Sequence, residues 1–345
     1  MQETEHLVRF NLFISLFSFL FIHSLFSQDY PNKTVDSLLK SGIRDIINQK
    51  YSEAEKKFDL LNKNYPALPL GNIYLSAASI AKAYDFGEKY NSEFIDSHLE
   101  SAKESAENLL SSDESNLWYN YFYALAEGYM AYFAALKSNW LSALSTGINS
   151  ISSYENCLDI DSRFFESYIA IGTFEYWQSR KMEFLDGLPF YEDRTRVGID
   201  NLRTASDSAS YNSYVAINSL IWIYIDQKDY SKAIELGGKT LDKFPASRYF
   251  KWGLARAYEE IDPAKSIKLY YEILNSFSDK NRRNYVNEIT LKHLIAQQYL
   301  KLGEKEKSLK LCNEILSIKN LNEFEHSKLD ERLQRVKDLQ KTLTH

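Results

Sequence analysis

The stretch Ser179 to Arg196, SRKMEFLDGLPFYEDRTR, holds the densest set of reactive side chains in the sequence. Arg180, Lys181, Glu183, Asp186, Glu192, Asp193, Arg194 and Arg196 crowd around Phe184, Leu188, Phe190 and Tyr191, and Gly187 and Pro189 break any helix there. A carboxylate beside a guanidinium could exchange protons with a substrate as a general acid and base. The simpler reading is a set of ion pairs that pins an ordered loop, because arginine–carboxylate forks are good fasteners. Arg180, Asp186, Asp193 and Arg194 are the candidates in this insertion. Elsewhere chemistry is thin. His98, His293 and His326 are isolated, and His345 is terminal. No HExxH, CxxC, GxxxxGK[ST] or GxSxG pattern occurs, so no metal site, phosphate cradle or nucleophile elbow is signalled. The expectation is a protein without catalysis, cofactor or metal.

Binding has more support. The chain carries 25 Tyr, 20 Phe and 5 Trp in 345 residues. Tyr and Trp offer rigid, amphipathic contact area, which interfaces favour. The formal net charge is −6, so no general attraction to nucleic acid is expected.

The elements that must present these aromatics are helices. Twelve Gly and six Pro are few for this length, which disfavours loop-rich β folds. Asp36 to Pro66 contains two amphipathic runs with apolar residues at 3–4 spacing, broken at Gln49-Lys50-Tyr51. Gly42, Ala54, Phe58 and Pro66 punctuate the pair, small residues allowing close approach and the aromatic filling the space beside them. The same spacing returns at Tyr224, Tyr230, Ala233 and Pro245, then at Tyr258, Ser266, Tyr270 and Ile273, then at Tyr299, Ser308, Cys312 and Ile315.

These residues resemble the tetratricopeptide repeat, a helix–turn–helix unit of about 34 residues. The best matches are 35–68 and 214–247, followed by 248–276 and 289–322; the stretches 69–111, 116–160 and 164–208 resemble degenerate copies. A linker at 28–34 precedes them, and a charged segment at 323–345 suits the polar cap that a solenoid needs. The resemblance implies an all-α fold, an α-solenoid. Its long aromatic middle units, about residues 118–178, are expected to bury the most apolar area. In this family the first helix of each pair lines the concave face. Carried over by register, the contact positions fall on Phe122, Tyr129, Tyr132 and Phe133, on Tyr176 and Trp177, on Asn218 and Trp222, and on Tyr249, Trp252 and Arg256. The resemblance implies a protein or peptide partner for that face. A glycan stacked on Trp and Tyr is the alternative.

The N-terminus reads as an address. Leu12 to Phe26 is apolar without a full charge, and Ser27 offers a small residue for cleavage before Gln28. The usual positive leader is missing, since Glu3 and Glu5 oppose Arg9. Export to the periplasm or to the outer-membrane region follows, with retention as an anchor the alternative. No Cys follows the cut to carry lipid, and no later run is long enough to span a bilayer. Oligomeric state is left open. Cys157 and Cys312 lie about four repeats apart, beyond disulfide reach, so two buried free thiols are expected.

Overall fold

A computed structural model describes residues 28–183, 192–277 and 284–344. The apolar segment 12–26, the cut after Ser27 and Asp186 lie outside the described residues. Fifteen helices follow one another without a strand among the described residues. They are α1 (Lys33–Ile47), α2 (Tyr51–Asn64), α3 (Leu70–Phe86), α4 (Ser92–Ser112), α5 (Leu117–Leu136), α6 (Trp140–Ile160), α7 (Ser167–Lys181) and α8 (Thr195–Ser208). Then come α9 (Ser213–Asp226), α10 (Tyr230–Lys243), α11 (Arg248–Ile261), α12 (Pro263–Ser276), α13 (Tyr285–Lys301), α14 (Lys305–Leu316) and α15 (Glu323–Thr344). None of the described helices is long and apolar enough to cross a membrane.

Local rules explain the boundaries. Asn32 and Asn116 each accept two backbone N–H bonds at the start of α1 and α5, and Asp262 caps α12 ahead of Pro263. The turns inside four of the pairs share one conformation. Gln49, Ser138, Lys228 and Gly303 have φ of 57°, 61°, 59° and 77°. The residue after each returns its N–H to a carbonyl five residues back: Lys50 to Asp45, Asn139 to Ala134, Asp229 to Tyr224 and Glu304 to Tyr299. This is the left-handed helix stop that glycine favours, and three of the four copies adopt it with a side chain in place.

Every helix packs on the next. First helices also meet first helices, α1 on α3, α3 on α5, α7 on α9, α9 on α11 and α13 on α15. That pattern is a solenoid of helix pairs. Glycines set the closest approaches. A Cβ on Gly42 would lie 2.5 Å from the Phe58 ring, and one on Gly172 would lie 2.7 Å from the Gly198 carbonyl oxygen. The interior divides into one large core from Val35 to Ala257 and a second from Ala255 to Val336, with a small cluster of Ile80, Ile95, Leu99 and Phe133 beside the first. Cys157 and Cys312 are both buried and unpaired, and burial pushes the Cys157 thiol up to about 12.

The solenoid turns back on itself. The Gln49 turn reaches the start of α11, where Gln49 Oε1 accepts from Arg248 N at 2.9 Å and Ser247 Oγ donates to the Ile47 carbonyl at 2.8 Å. Arg248 Nε donates to Asp85 Oδ1 at 2.8 Å, and the guanidinium lies 4.5 Å from the Phe277 ring centre. Asn287 Nδ2 donates to the Asp85 carbonyl at 2.7 Å. The first two units are thereby fastened to the loop ends of α11 and α13. One expectation about the middle needs correction. The first half of α6 outruns its shorter neighbour α7 and leaves Trp140, Leu141, Leu144 and Ile148 between 52% and 85% exposed.

Candidate functional site

The expected concave residues separate into two groups. Phe122, Phe133 and Tyr176 are buried, so they are packing residues and offer no face to a partner. Phe122 lies among Tyr30, Trp118, Tyr119 and Tyr121. Phe133 sits edge-on to Tyr90, with ring centres 5.7 Å apart. Tyr176 donates its hydroxyl to Asp226 Oδ2 at 2.6 Å and crosses Trp177 edge-to-face. These corrections share one cause. Side chains from other segments enclose each ring, and the family register does not encode those contacts.

Two of the others, Tyr132 and Tyr249, lie near each other and near Tyr84. Tyr132 of α5 is 49% exposed, Tyr249 of α11 is 37% exposed and Tyr84 of α3 is 69% exposed. Their phenols nevertheless influence one another: Tyr249 feels Tyr132, Tyr129 and Tyr84, and Tyr132 feels Tyr84, Tyr90 and Tyr129. Surrounding protein holds the Tyr132 and Tyr249 hydroxyls well above the usual phenol range, and pushes Tyr129 up to about 12. The Asn218 amide stands beside the Tyr249 hydroxyl, and its Oδ1 is buried without a hydrogen-bond partner. Trp222 approaches Gly253 of α11, and Trp252 lies 5.8 Å from Tyr270.

Close to Tyr129 lies a polar knot that the sequence pattern does not single out. Glu166, 3% exposed, accepts from Tyr211 N at 2.7 Å and from Asn212 Nδ2 at 2.8 Å. Asn212 Nδ2 also reaches the hydroxyls of Tyr74 and Tyr121, each at 3.3 Å. Tyr211 donates its hydroxyl to Asp36 Oδ1 at 2.7 Å and accepts from Tyr30 N at 2.7 Å. Burial pushes the Glu166 carboxyl upward against the donors that favour its charge. A lone acid inside the apolar run Phe164-Phe165-Glu166 was the available signal.

In the insertion, the described part is fastened by ion pairs. Arg180 Nε binds Asp226 Oδ2 at 2.7 Å, and a second nitrogen meets Glu183. Arg194 Nε binds Glu175 Oε1 at 3.1 Å, while Glu175 Oε2 takes Asn201 Nδ2 at 2.9 Å. Asp193 accepts from Thr195 N at 2.9 Å. Arg180, Glu183, Asp193, Thr195 and Asp226 border an open cleft of about 540 Å3 that includes Ser179 and Asp229. Carboxylates already engage both guanidiniums. No group of three potential metal ligands occurs among the described residues.

No protein-family model matches the chain, and no curated protein matches its sequence. Similar folds occur among solved structures. A tetratricopeptide repeat protein from Parabacteroides merdae is 13% identical over 91% of this chain and 100% of its own, with a TM-score of 0.38. A thermophilic TPR protein from Thermus thermophilus is 12% identical over 65% of this chain and 98% of its own, with a TM-score of 0.41. Human IFIT1, solved as a dimer with m7Gppp-AAAA, is 14% identical over 84% of this chain and 62% of its own, with a TM-score of 0.49. All three TM-scores lie below 0.5, and the all-helical solenoid rests on the chain's own succession of packed helix pairs.

Proposed function

We propose that this protein is an interaction scaffold whose tyrosine-lined face takes a peptide segment or helix of a partner protein. The observation that carries the reading is the meeting of exposed Tyr84, Tyr132 and Tyr249, drawn from three helices, beside the unpartnered Asn218 Oδ1. Hydroxyls around apolar rings can satisfy a backbone while burying side chains. The polar knot nearby keeps that face rigid, which lowers the entropy cost of binding. The apolar N-terminal segment supports export, and so a partner in the cell envelope.

A photo-crosslinking amino acid at Tyr132 tests this, with a second at Leu60, 46% exposed on α2, as the control. One defined protein should be captured from position 132 and not from position 60, and capture should be lost with Tyr249→Ala. Equal capture from both positions would sink the proposal. Calorimetry with envelope glycans separates the alternative: sugar binding that disappears with Trp222→Ala or Trp252→Ala would favour a glycan ligand.

A further inference from the structure

We propose that the first half of α6 docks on the surface of a lipid bilayer, with Trp140, Leu141, Leu144 and Ile148 entering the lipid. This docking does not depend on the exposed tyrosines having a partner.

The four side chains lie open to water. At 3.6 residues per turn they fall in one stripe about 100° wide. Ser145, Asn149 and Ser152 occupy the adjoining exposed side. Ser150 and Tyr154 turn inward, where Ser150 Oγ donates to the Ala124 carbonyl at 2.8 Å. The helix thus has a packed face, an open apolar face and an open hydroxyl-rich face.

Charge identifies what the apolar face fits. From Ser138 to Tyr154 the chain has no Asp, Glu, Lys or Arg, although charged residues make up 26% of the whole. Lys137, the cation next to this run, is held by Asp96 at 2.8 Å. A face without charge enters lipid with no ion to desolvate, and it draws nothing from anionic headgroups. Four apolar side chains among Ser, Thr and Asn are few against the roughly 20–30 residues a side of a stable protein interface. A second copy would gain little from them. A bilayer asks for apolar area and no complementary shape. Helix α6 is not apolar enough to cross a membrane, so the fitting geometry is one lying along the surface.

The chain also leads this helix to lipid. The apolar run Leu12 to Phe26 is joined to the described residues at Gln28, whose side-chain amide donates to Asp161, the C-cap of α6. Trp140 stands at the other end, about 30 Å along the helix. A chain threaded into a membrane by that run, retained or awaiting cleavage, has α6 beside the bilayer. One weak attachment gives marginal, reversible membrane binding, and a second makes it stable.

Cys157 and Cys312 are buried, so a nitroxide can be placed on the full chain through Leu144→Cys and, separately, through Asn149→Cys on the hydroxyl-rich side. Each labelled protein is mixed with phosphatidylcholine vesicles, and the label's accessibility to oxygen and to a water-soluble nickel complex is measured. The label at 144 should gain oxygen contact and lose nickel contact, at low and high salt alike, while the label at 149 stays in water. Because position 144 itself is read, insertion of the N-terminal run alone gives no signal. Trp140→Ser combined with Leu141→Ser should weaken the response at 144 about tenfold or more, with Tm unchanged because both side chains are already exposed. A label at 144 that stays in water with vesicles present overturns the proposal, as does a response that requires anionic lipid. Spin–spin broadening at 144 that grows with protein concentration in the absence of vesicles overturns it in favour of a second copy. A label shielded in dilute protein without vesicles overturns it in favour of the chain's own N-terminal run.

Discussion

From Val35 to Ala257 the helices share one core in which groups far apart in sequence meet. From Ala255 to Val336 the helices rest on their neighbours, and ties to the N-terminal units run through Asn287 against Asp85 and Phe277 against Phe86. In the first region Tyr211 reaches Asp36, Asn212 reaches Tyr74, and Arg248 reaches Asp85. In the second, α13, α14 and α15 stack by burying Leu, Ile and Cys312, with His293 beneath the cap. One architecture thus holds together in two ways. The first region should unfold as a unit, while the second should behave as a one-dimensional stack whose stability is the sum of its neighbour contacts.

The strongest way to break the contrast is Glu166→Ala. It strands Tyr211 N, Asn212 N and the Asn212 amide in a buried site. The expected loss is about 3–5 kcal/mol, read by urea unfolding with tryptophan fluorescence, and α14–α15 should keep their own transition. A fall of less than about 1 kcal/mol would mean that water reaches the knot.

Next comes Arg248→Met, which removes the guanidinium from Asp85 and from the Phe277 ring and leaves that half-buried carboxylate with the Tyr51 hydroxyl. We expect a loss of about 2–4 kcal/mol and a separation of the two regions. Hydrogen exchange should quicken in α1, α3 and the start of α13, with α5 and α7 remaining the slowest. Exchange that quickens evenly along the chain would contradict the division into two cores.

The smallest effect sharpens the contrast through pH. The folded pKa of His293, about 4, lies below the unfolded value of about 6.5. The unfolded chain therefore takes up this proton first, so the stabilisation is complete above about pH 6.5 and is lost as pH falls toward 4. About 3 kcal/mol is at stake, felt in the second region. His293→Gln should flatten that stretch of the pH profile for α13–α15 without altering α5 and α7. An unchanged profile would show that another group controls the acid response.

Much of the helix pairing was legible because it rests on short-range rules. Gly42 and Phe58 announce a close crossing by their sizes alone, and Asn116 or Asp262 before an apolar run announces a helix start. The tyrosine-lined face was only half legible. Tyr132 and Tyr249 are exposed, but Phe122, Phe133 and Tyr176 were assigned by the same register and are buried. The difference depends on contacts between segments distant in sequence, such as Phe122 with Tyr30 and Tyr176 with Asp226. No local spacing carries it. Tyr84 was missed for the same reason, since only the return of the solenoid brings it toward Tyr249. The exposed start of α6 reflects a difference in length, 21 residues against 15 in α7, visible only once both ends are known.

The crossing of α7 and α8 has an evolutionary consequence. A Cβ on Gly198 would lie 2.6 Å from the Gly172 carbonyl oxygen, and one on Gly172 would lie 2.7 Å from that of Gly198. Most core clashes can be relieved by a compensating change, a neighbour growing smaller as another grows larger. Here each obstacle is backbone, and each residue is already the smallest there is. Neither position can rescue a change at the other, so drift at this crossing is closed in both directions at once. In a saturation-mutagenesis library, the two sites should be independently intolerant, with no permissive double mutants between them.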